Sequence, residues 1–241
     1  MSLEKANIQR IALAGGLVAL MIILFVIYRS RRKSERLLLN MLPEKIAHRL
    51  KNKEKPIADL FTDASVVFID IAGFTSFSKN KDPDYLVRVL TDFFTKMDEI
   101  SDKHGMEKIK TIGDCYMAVC GLPEPRPDSL ERTARFAIEA RDLMRSYKTI
   151  DGYDIRVRIG IDAGKVVAGV IGEKKFSYDL WGDVVNTAFH MESHGIAGEI
   201  QVTENVFRKL DGKFILQERG QVEIKGKGMM RTWILSGIQD L

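Results

Sequence analysis

Cysteine is scarce in this 241-residue chain: there are two, Cys115 and Cys120. They lie five apart in a run of strand character, so their side chains point to opposite faces and do not bridge each other. A disulfide framework is excluded, and the pair fits a reducing compartment. Basic excess is lacking where a nucleic-acid surface would need it. The net charge is +4, yet residues 1–53 carry 11 Lys/Arg against 3 Asp/Glu, and the remainder 26 against 30. The larger, slightly acidic part has no basic groove for nucleic acid, whereas the basic N-terminal part suits anionic lipid headgroups. No His-Glu-x-x-His stretch occurs either. His190, Glu192 and His194 stand in the order His-x-Glu-x-His, which does not put the acid where a zinc protease needs it.

What is present begins with one long uncharged run. Residues 11–28, IALAGGLVALMIILFVIY, number 18, near the lower limit for crossing a bilayer as a helix. Arg29-Ser-Arg-Arg-Lys-Ser-Glu-Arg36 follows directly and, by the positive-inside rule, puts the C-terminal side in the cytoplasm. The run is long for a signal-peptide core, and no small-x-small cleavage site precedes the basic cluster, so a retained single-pass anchor in the cell membrane is expected. Residues 1–10, opening Met1-Ser-Leu, read as a tag remnant or truncation point, with a sensor domain expected upstream.

Beyond the basic cluster, Leu38, Met41, Leu42, Ile46 and Leu50 recur at helical spacing. Pro43 either kinks this helix or restarts it. The stripe is too short for sustained heptads; it either pairs with a second copy as a short coiled coil or packs on its own folded domain. Lys51-Asn-Lys-Glu-Lys-Pro56 is a polar breaker that closes a linker over 29–56 and opens a domain over 57–241.

In that domain Ser65–Ile71 reads as a buried strand. Asp84–His104 reads as an amphipathic helix presenting Leu86, Val89, Leu90, Phe93, Phe94, Met97 and Ile100. Lys108–Ile112 and Cys115–Val119 flank Gly113 as a hairpin. Asp128-Ser-Leu-Glu131 has capping-box spacing and opens a helix to about Tyr147. Ile155–Ile161 and Val166–Val170 read as strands joined at Asp162-Ala-Gly-Lys165, and Val184–His194 as a helix. Short strands follow near Ile200, Phe214, Val222 and Trp233. The order strand, helix, hairpin, helix, strand describes an α+β, ferredoxin-like βαββαβ core with C-terminal additions.

Two carboxylates carry the chemistry. Asp70 lies in Ser65-Val-Val-Phe-Ile-Asp-Ile-Ala-Gly-Phe-Thr75, and Asp114 in Lys108-Ile-Lys-Thr-Ile-Gly-Asp-Cys-Tyr-Met117. Acids in such apolar stretches are costly to bury without a partner. A hairpin beside the first strand brings them together, where they repel unless cations sit between them, as a two-metal transfer site requires. The Ala72-Gly-Phe-Thr75 turn leads into a helix start, a place where free N–H groups suit a polyphosphate.

These stretches, with Tyr178-Asp-Leu-Trp-Gly-Asp-Val-Val-Asn186 and Val222-Glu-Ile-Lys-Gly-Lys-Gly228, resemble the signature blocks of class III nucleotidyl cyclases, in order from about Ile57 to Leu235. The resemblance implies a cyclase core and two Mg²⁺ or Mn²⁺ ions held by Asp70, Asp114 and the Ile71 carbonyl. It implies β- and γ-phosphates on the backbone of Ala72, Gly73, Phe74 and Thr75, aided by Arg158, and Lys225 matches a phosphate-binding lysine. Lys110 and Asp179 match the purine readers: a donor for ring N1 and an acceptor for the exocyclic amine, hence ATP rather than GTP. Asn186 matches the asparagine that positions ribose or transition state. The family divides these sets between subunits, so one chain carrying both implies a head-to-tail homodimer with two shared sites making cyclic AMP.

One position departs from the family. Four residues after Asn186 the family usually has an arginine, which stabilises charge on the α-phosphate, and here stands His190. Imidazole at neutral pH is mostly uncharged and lacks the guanidinium fork. Losing a transition-state donor costs about 3 kcal/mol, or roughly two orders of magnitude in rate. Three readings stay open: a slow cyclase, or one no longer active; another cation in the role; or an engineered His190. Trp181, Phe189 and Phe176 read as core or dimer-interface packing.

Overall fold

The computed structural model describes residues 2–39, 41–149, 152–172 and 174–239, with the side chains of 2–14, 19 and 34–38 outside the description. The chain divides into two compact units, Met1–Glu54 and Lys55–Leu241.

In the first unit, α1 (Ser2–Leu39) is one continuous helix, exposed over its described side chains between 15 and 33. Among the described residues no helix is long and apolar enough to cross a membrane. The expected span over 11–28 runs through residues 11–14 and 19, whose side chains lie outside the description. A second helix, α2 (Glu44–Lys51), starts directly after Pro43. The proline therefore restarts the helix, because its ring and missing N–H fit a first turn and not an interior. Of the expected stripe, Leu42 and Ile46 are buried and Met41 is exposed, while Leu38 lies outside the description.

The second unit runs β1 (Ala58–Ile71), α3 (Phe74–Ser78), α4 (Pro83–His104), β2 (Glu107–Ile112), β3 (Cys115–Cys120), α5 (Ser129–Ser146), β4 (Val157–Ile171) and β5 (Ser177–Trp181). It continues with α6 (Asp183–Ser193), β6 (Ile200–Thr203), α7 (Glu204–Leu210), β7 (Phe214–Ile224) and β8 (Gly228–Ile238). The sheet order is β2-β3-β1-β4-β6-β8-β7, with β5 paired to β4, and among the described strands only β4 and β6 run parallel. The first four strands with α4 and α5 form the expected βαββαβ core.

Several elements differ from the sequence expectation. β4 is one strand, not two joined at 162–165, because β1 extends back to Ala58 and pairs along its length; the irregularity falls instead between Phe61 and Ala64 of β1. Asp128 makes no capping bond to α5, since its carboxylate accepts from Arg132 Nε at 2.7 Å. Phe214 and Val222 share the single strand β7. Between β6 and β7 the chain forms helix α7, for which no expectation was drawn from the sequence; Thr203 caps it, its hydroxyl accepting from the Val206 N–H.

Strand alternation sorts the residues onto two faces. Val67, Ile69 and Ile71 of β1, Tyr116, Ala118 and Cys120 of β3, and Ile159 and Ile161 of β4 enter one core with Val89, Phe93, Met97 and Ile100 of α4 and Phe136, Ala137 and Ala140 of α5. Their strand neighbours Phe68, Asp70, Cys115, Arg158 and Gly160 face the other way, where α6 lies. Both cysteines are buried and unbridged.

Candidate active site

The two acids do meet. Asp70, next to last in β1, lies opposite Cys115 of β3, and Asp114 immediately precedes Cys115 in the β2–β3 turn. Gly113 holds that turn with φ 64°, a conformation a side chain at that position resists. Burial and the neighbouring Asp114 charge raise the Asp70 carboxyl above its ordinary range, although Arg158 opposes them. Two repelling carboxylates side by side form a hard oxygen donor set of the kind that divalent cations such as Mg²⁺ and Mn²⁺ take.

Arg158 is placed differently from the phosphate-side role expected of it. Its Nη2 donates to Asp70 Oδ2 at 2.6 Å, and its Nε to Glu192 Oε1 at 2.9 Å. The Glu192 side chain is 3% exposed. Burial first, then the Asp70 and Asp114 charges, push Glu192 up to about 7 against the pull of Arg158. This acid reaches the strand because α6 lies directly on β4: a Cβ at Gly160 would stand 2.1 Å from the Glu192 nitrogen and 2.4 Å from the Ala188 oxygen. Among the described residues no group of three or more His, Cys, Asp or Glu is placed for a metal. Glu192 turns into the sheet while the His190 and His194 rings lie 5.8 Å apart on α6, so these three side chains do not converge.

At the phosphate turn, Ala72 donates its N–H to the Arg156 carbonyl at 2.8 Å. The donors left for an anion therefore begin at Gly73 and continue through Phe74 and Thr75, the opening of α3. Lys110 of β2 and Asp179 of β5 meet at 2.5 Å. Lys110 pairs across to Met117, which pairs to Phe68, so it shares the Asp70 face.

Asn186 is exposed on α6. His190 follows one turn later, held below the ordinary imidazole range by burial, by His194 and by the Lys227 charge. Lys225 is exposed in the β7–β8 turn. Lys227, in the same turn, reaches α6, with Nζ 2.5 Å from Asp183 Oδ1 and 2.7 Å from Thr187 Oγ1. Sequence reasoning did not assign Glu192 or Gly160 to this site, and it left Lys227 with Lys225 open between solvated loop charges and a phosphate-approach loop. The available signals were an acid on the apolar stripe Ala188, Met191, Glu192, and a glycine inside a strand.

Residues 58–237 match the family described as "Adenylate and Guanylate cyclase catalytic domain". The chain is 48% identical over 206 residues to an "Adenylate cyclase" of Mycobacterium bovis, a match covering 85% of this chain and 46% of that protein. It is 39% identical over 216 residues to "Guanylate cyclase soluble subunit beta-2" of Rattus norvegicus, covering 88% of this chain and 31% of that one. The chain thus spans less than half the length of these curated relatives. Among solved structures, the catalytic core of a rhodopsin-guanylyl cyclase "with converted specificity in complex with ATPalphaS" is similar at TM-score 0.72 and 37% identity, over 75% of this chain and 98% of that one. The guanylate cyclase domain of RhGC from Catenaria anguillulae in complex with GTP is similar at TM-score 0.73 and 35% identity, over 75% and 100%.

Proposed function

The chain belongs to the family of adenylate and guanylate cyclase catalytic domains, and we propose that it converts ATP to 3′,5′-cyclic AMP and pyrophosphate as a membrane-anchored homodimer. The observation that carries this reading is the meeting of Asp70 and Asp114 on the same sheet face as Lys110, the partner of Asp179. A bond forms from the ribose 3′-oxygen to the α-phosphorus as the bond to the pyrophosphate oxygen breaks, and the hydroxyl proton leaves to water. Two divalent cations at Asp70, Asp114 and the Ile71 carbonyl would lower the pKa of that hydroxyl and offset the charge gathering at phosphorus. Gly73 to Thr75, Lys225 and Arg158 bind the phosphates, Arg158 by turning from Asp70 while Glu192 keeps its Nε. Asn186 orients the ribose.

The residue types support adenine. Lys110 gives a donor for ring N1, Asp179 an acceptor for the exocyclic amine, and each leaves the other to read the base. Guanine presents the opposite pattern, so a guanylate cyclase is the second reading within the class. Outside it, a weakly active signalling dimer is favoured by one observation: His190, held below the ordinary imidazole range, stands where the family usually has arginine.

A head-to-tail dimer is supported by the apolar side chains left open near both halves of the site: Trp181 at 39% exposed, Phe189 at 44% and Ile112 at 49%. Anchoring is supported by the uncharged run over 11–28 with its basic C-terminal flank, which puts the cyclase unit on the cytoplasmic side. Mixing tests the shared site. Asp70→Asn and Asn186→Ala chains, each inactive alone, regain about a quarter of parental activity when mixed, because half the dimers carry one intact site of two. No recovery on mixing contradicts the shared site.

A further inference from the structure

We propose that Lys227 supplies, at the α-phosphate, the positive charge that an arginine at position 190 would bring. This rests on the cyclase reading above. Asp183, Asn186, Thr187 and His190 follow one another at helical spacing along one side of α6. Lys227 is drawn onto this side from the β7–β8 turn, whose closure is fixed by its own N–H bonding to the Ile224 carbonyl at 2.9 Å.

Its contacts leave it able to act. The Thr187 hydroxyl donates to the Asp183 carbonyl at 2.8 Å, so its lone pairs face the ammonium 2.7 Å away. The other contact, the Asp183 carboxylate, is 83% exposed, while the Lys227 side chain is only 21% exposed. An exposed carboxylate is a weak competitor for that ammonium, and a phosphate with more charge displaces it. An ammonium also has three donors, of which Asp183 and Thr187 take two. Its contact with Thr187 sets the ammonium against α6 three residues before His190, on the side that His190 shares.

In the reaction the two non-bridging oxygens of the α-phosphate gain charge as the 3′-oxygen bonds to phosphorus and pyrophosphate departs. Lys227 meets that charge with its ammonium, neither giving up nor taking a proton. The lysine differs here from Lys225, which is exposed and is assigned to the outer phosphates.

A merely structural Lys227 would staple the β7–β8 turn to α6, and the two roles separate in a double-mutant comparison. Pyrophosphate release from ATP with Mn²⁺ is followed in parent, Lys227→Met, His190→Arg and the double variant, with dimer confirmed by sedimentation. We expect Lys227→Met to lower kcat roughly 100-fold with little change in KM, and His190→Arg to reduce that loss to about threefold or less. Equal losses in both backgrounds overturn the inference and leave the cyclase reading standing. No product from either parent or His190→Arg overturns both. Asp183→Asn cuts the staple but keeps the ammonium. Turnover within about threefold of the parent supports the charge role, and a loss matching Lys227→Met overturns it.

Discussion

Glu192 of α6 and Arg158 of β4 meet at 2.9 Å, and through this contact a helix on the open sheet face holds the residue that holds Asp70. The pairing predicts a pH signature. Glu192 is raised from an ordinary 4.5 to about 7 by burial and by Asp70 and Asp114. Between those values the folded chain keeps a proton that the unfolded chain has lost, so this group's contribution to stability falls as pH rises through that window and is level above it. Chemical denaturation of metal-free protein should show the parent losing stability relative to Glu192→Gln as pH rises over this range. A constant difference across the window would contradict the assignment.

Gly160 sets the approach of α6 to β4. A methyl group there meets backbone atoms of Glu192 and Ala188 at 2.1 and 2.4 Å, and backbone cannot step aside as a side-chain tip can. Gly160→Ala should destabilise by about 1–3 kcal/mol or more, the range of overpacked cores, read by denaturant midpoint. It should also weaken the Arg158 contact and lower turnover. A variant with parental midpoint would show that α6 shifts freely.

The acid pair predicts opposite effects on activity and on metal-free stability. Asp70→Asn or Asp114→Asn should cut turnover at least about 100-fold, as loss of a divalent-cation ligand does. Metal-free stability should hold or rise with Asp70→Asn, because that variant relieves the burial and repulsion that raise the Asp70 carboxyl. Turnover near the parent's with either asparagine would remove this pair from the site.

Lys110 and Asp179 occupy each other at 2.5 Å. Lys110→Ala should raise the KM for ATP by about tenfold or more, the worth of a charged hydrogen bond, with a smaller fall in kcat. Replacing Lys110 by Glu and Asp179 by Ser should move preference from ATP toward GTP, measured as the ratio of kcat/KM values. An unchanged ratio would place base selection elsewhere.

Much of this was legible in the sequence. The apolar face of α4 fills the core with Val89, Phe93, Met97 and Ile100 as its periodicity implies, and the acids at 70 and 114 announce themselves by the cost of burying them. The rest depends on which elements touch. Glu192 sits in an ordinary amphipathic helix, and nothing local says that an arginine lies beneath it. The glycine between Ile159 and Ile161 hints at a close approach without naming α6. Lys225 and Lys227 alternate with Gly226 and Gly228, so local pattern treats them alike; only packing turns one of them onto Asp183 and Thr187. The reading of β4 as two strands failed because a glycine that resembles a turn is accommodated when β1 is long enough to pair on both sides of it.

The central claim is an adenylate cyclase whose site two copies share. Cyclic nucleotide formation by the purified chain from ATP and from GTP, with Mg²⁺ and with Mn²⁺, over a wide range of protein concentration tests it most directly. The account predicts cyclic AMP as the main product, with specific activity that rises with protein concentration and then levels. Cyclic GMP as the main product, specific activity independent of concentration down to dilute monomer, or no cyclic product at the highest concentration would contradict it.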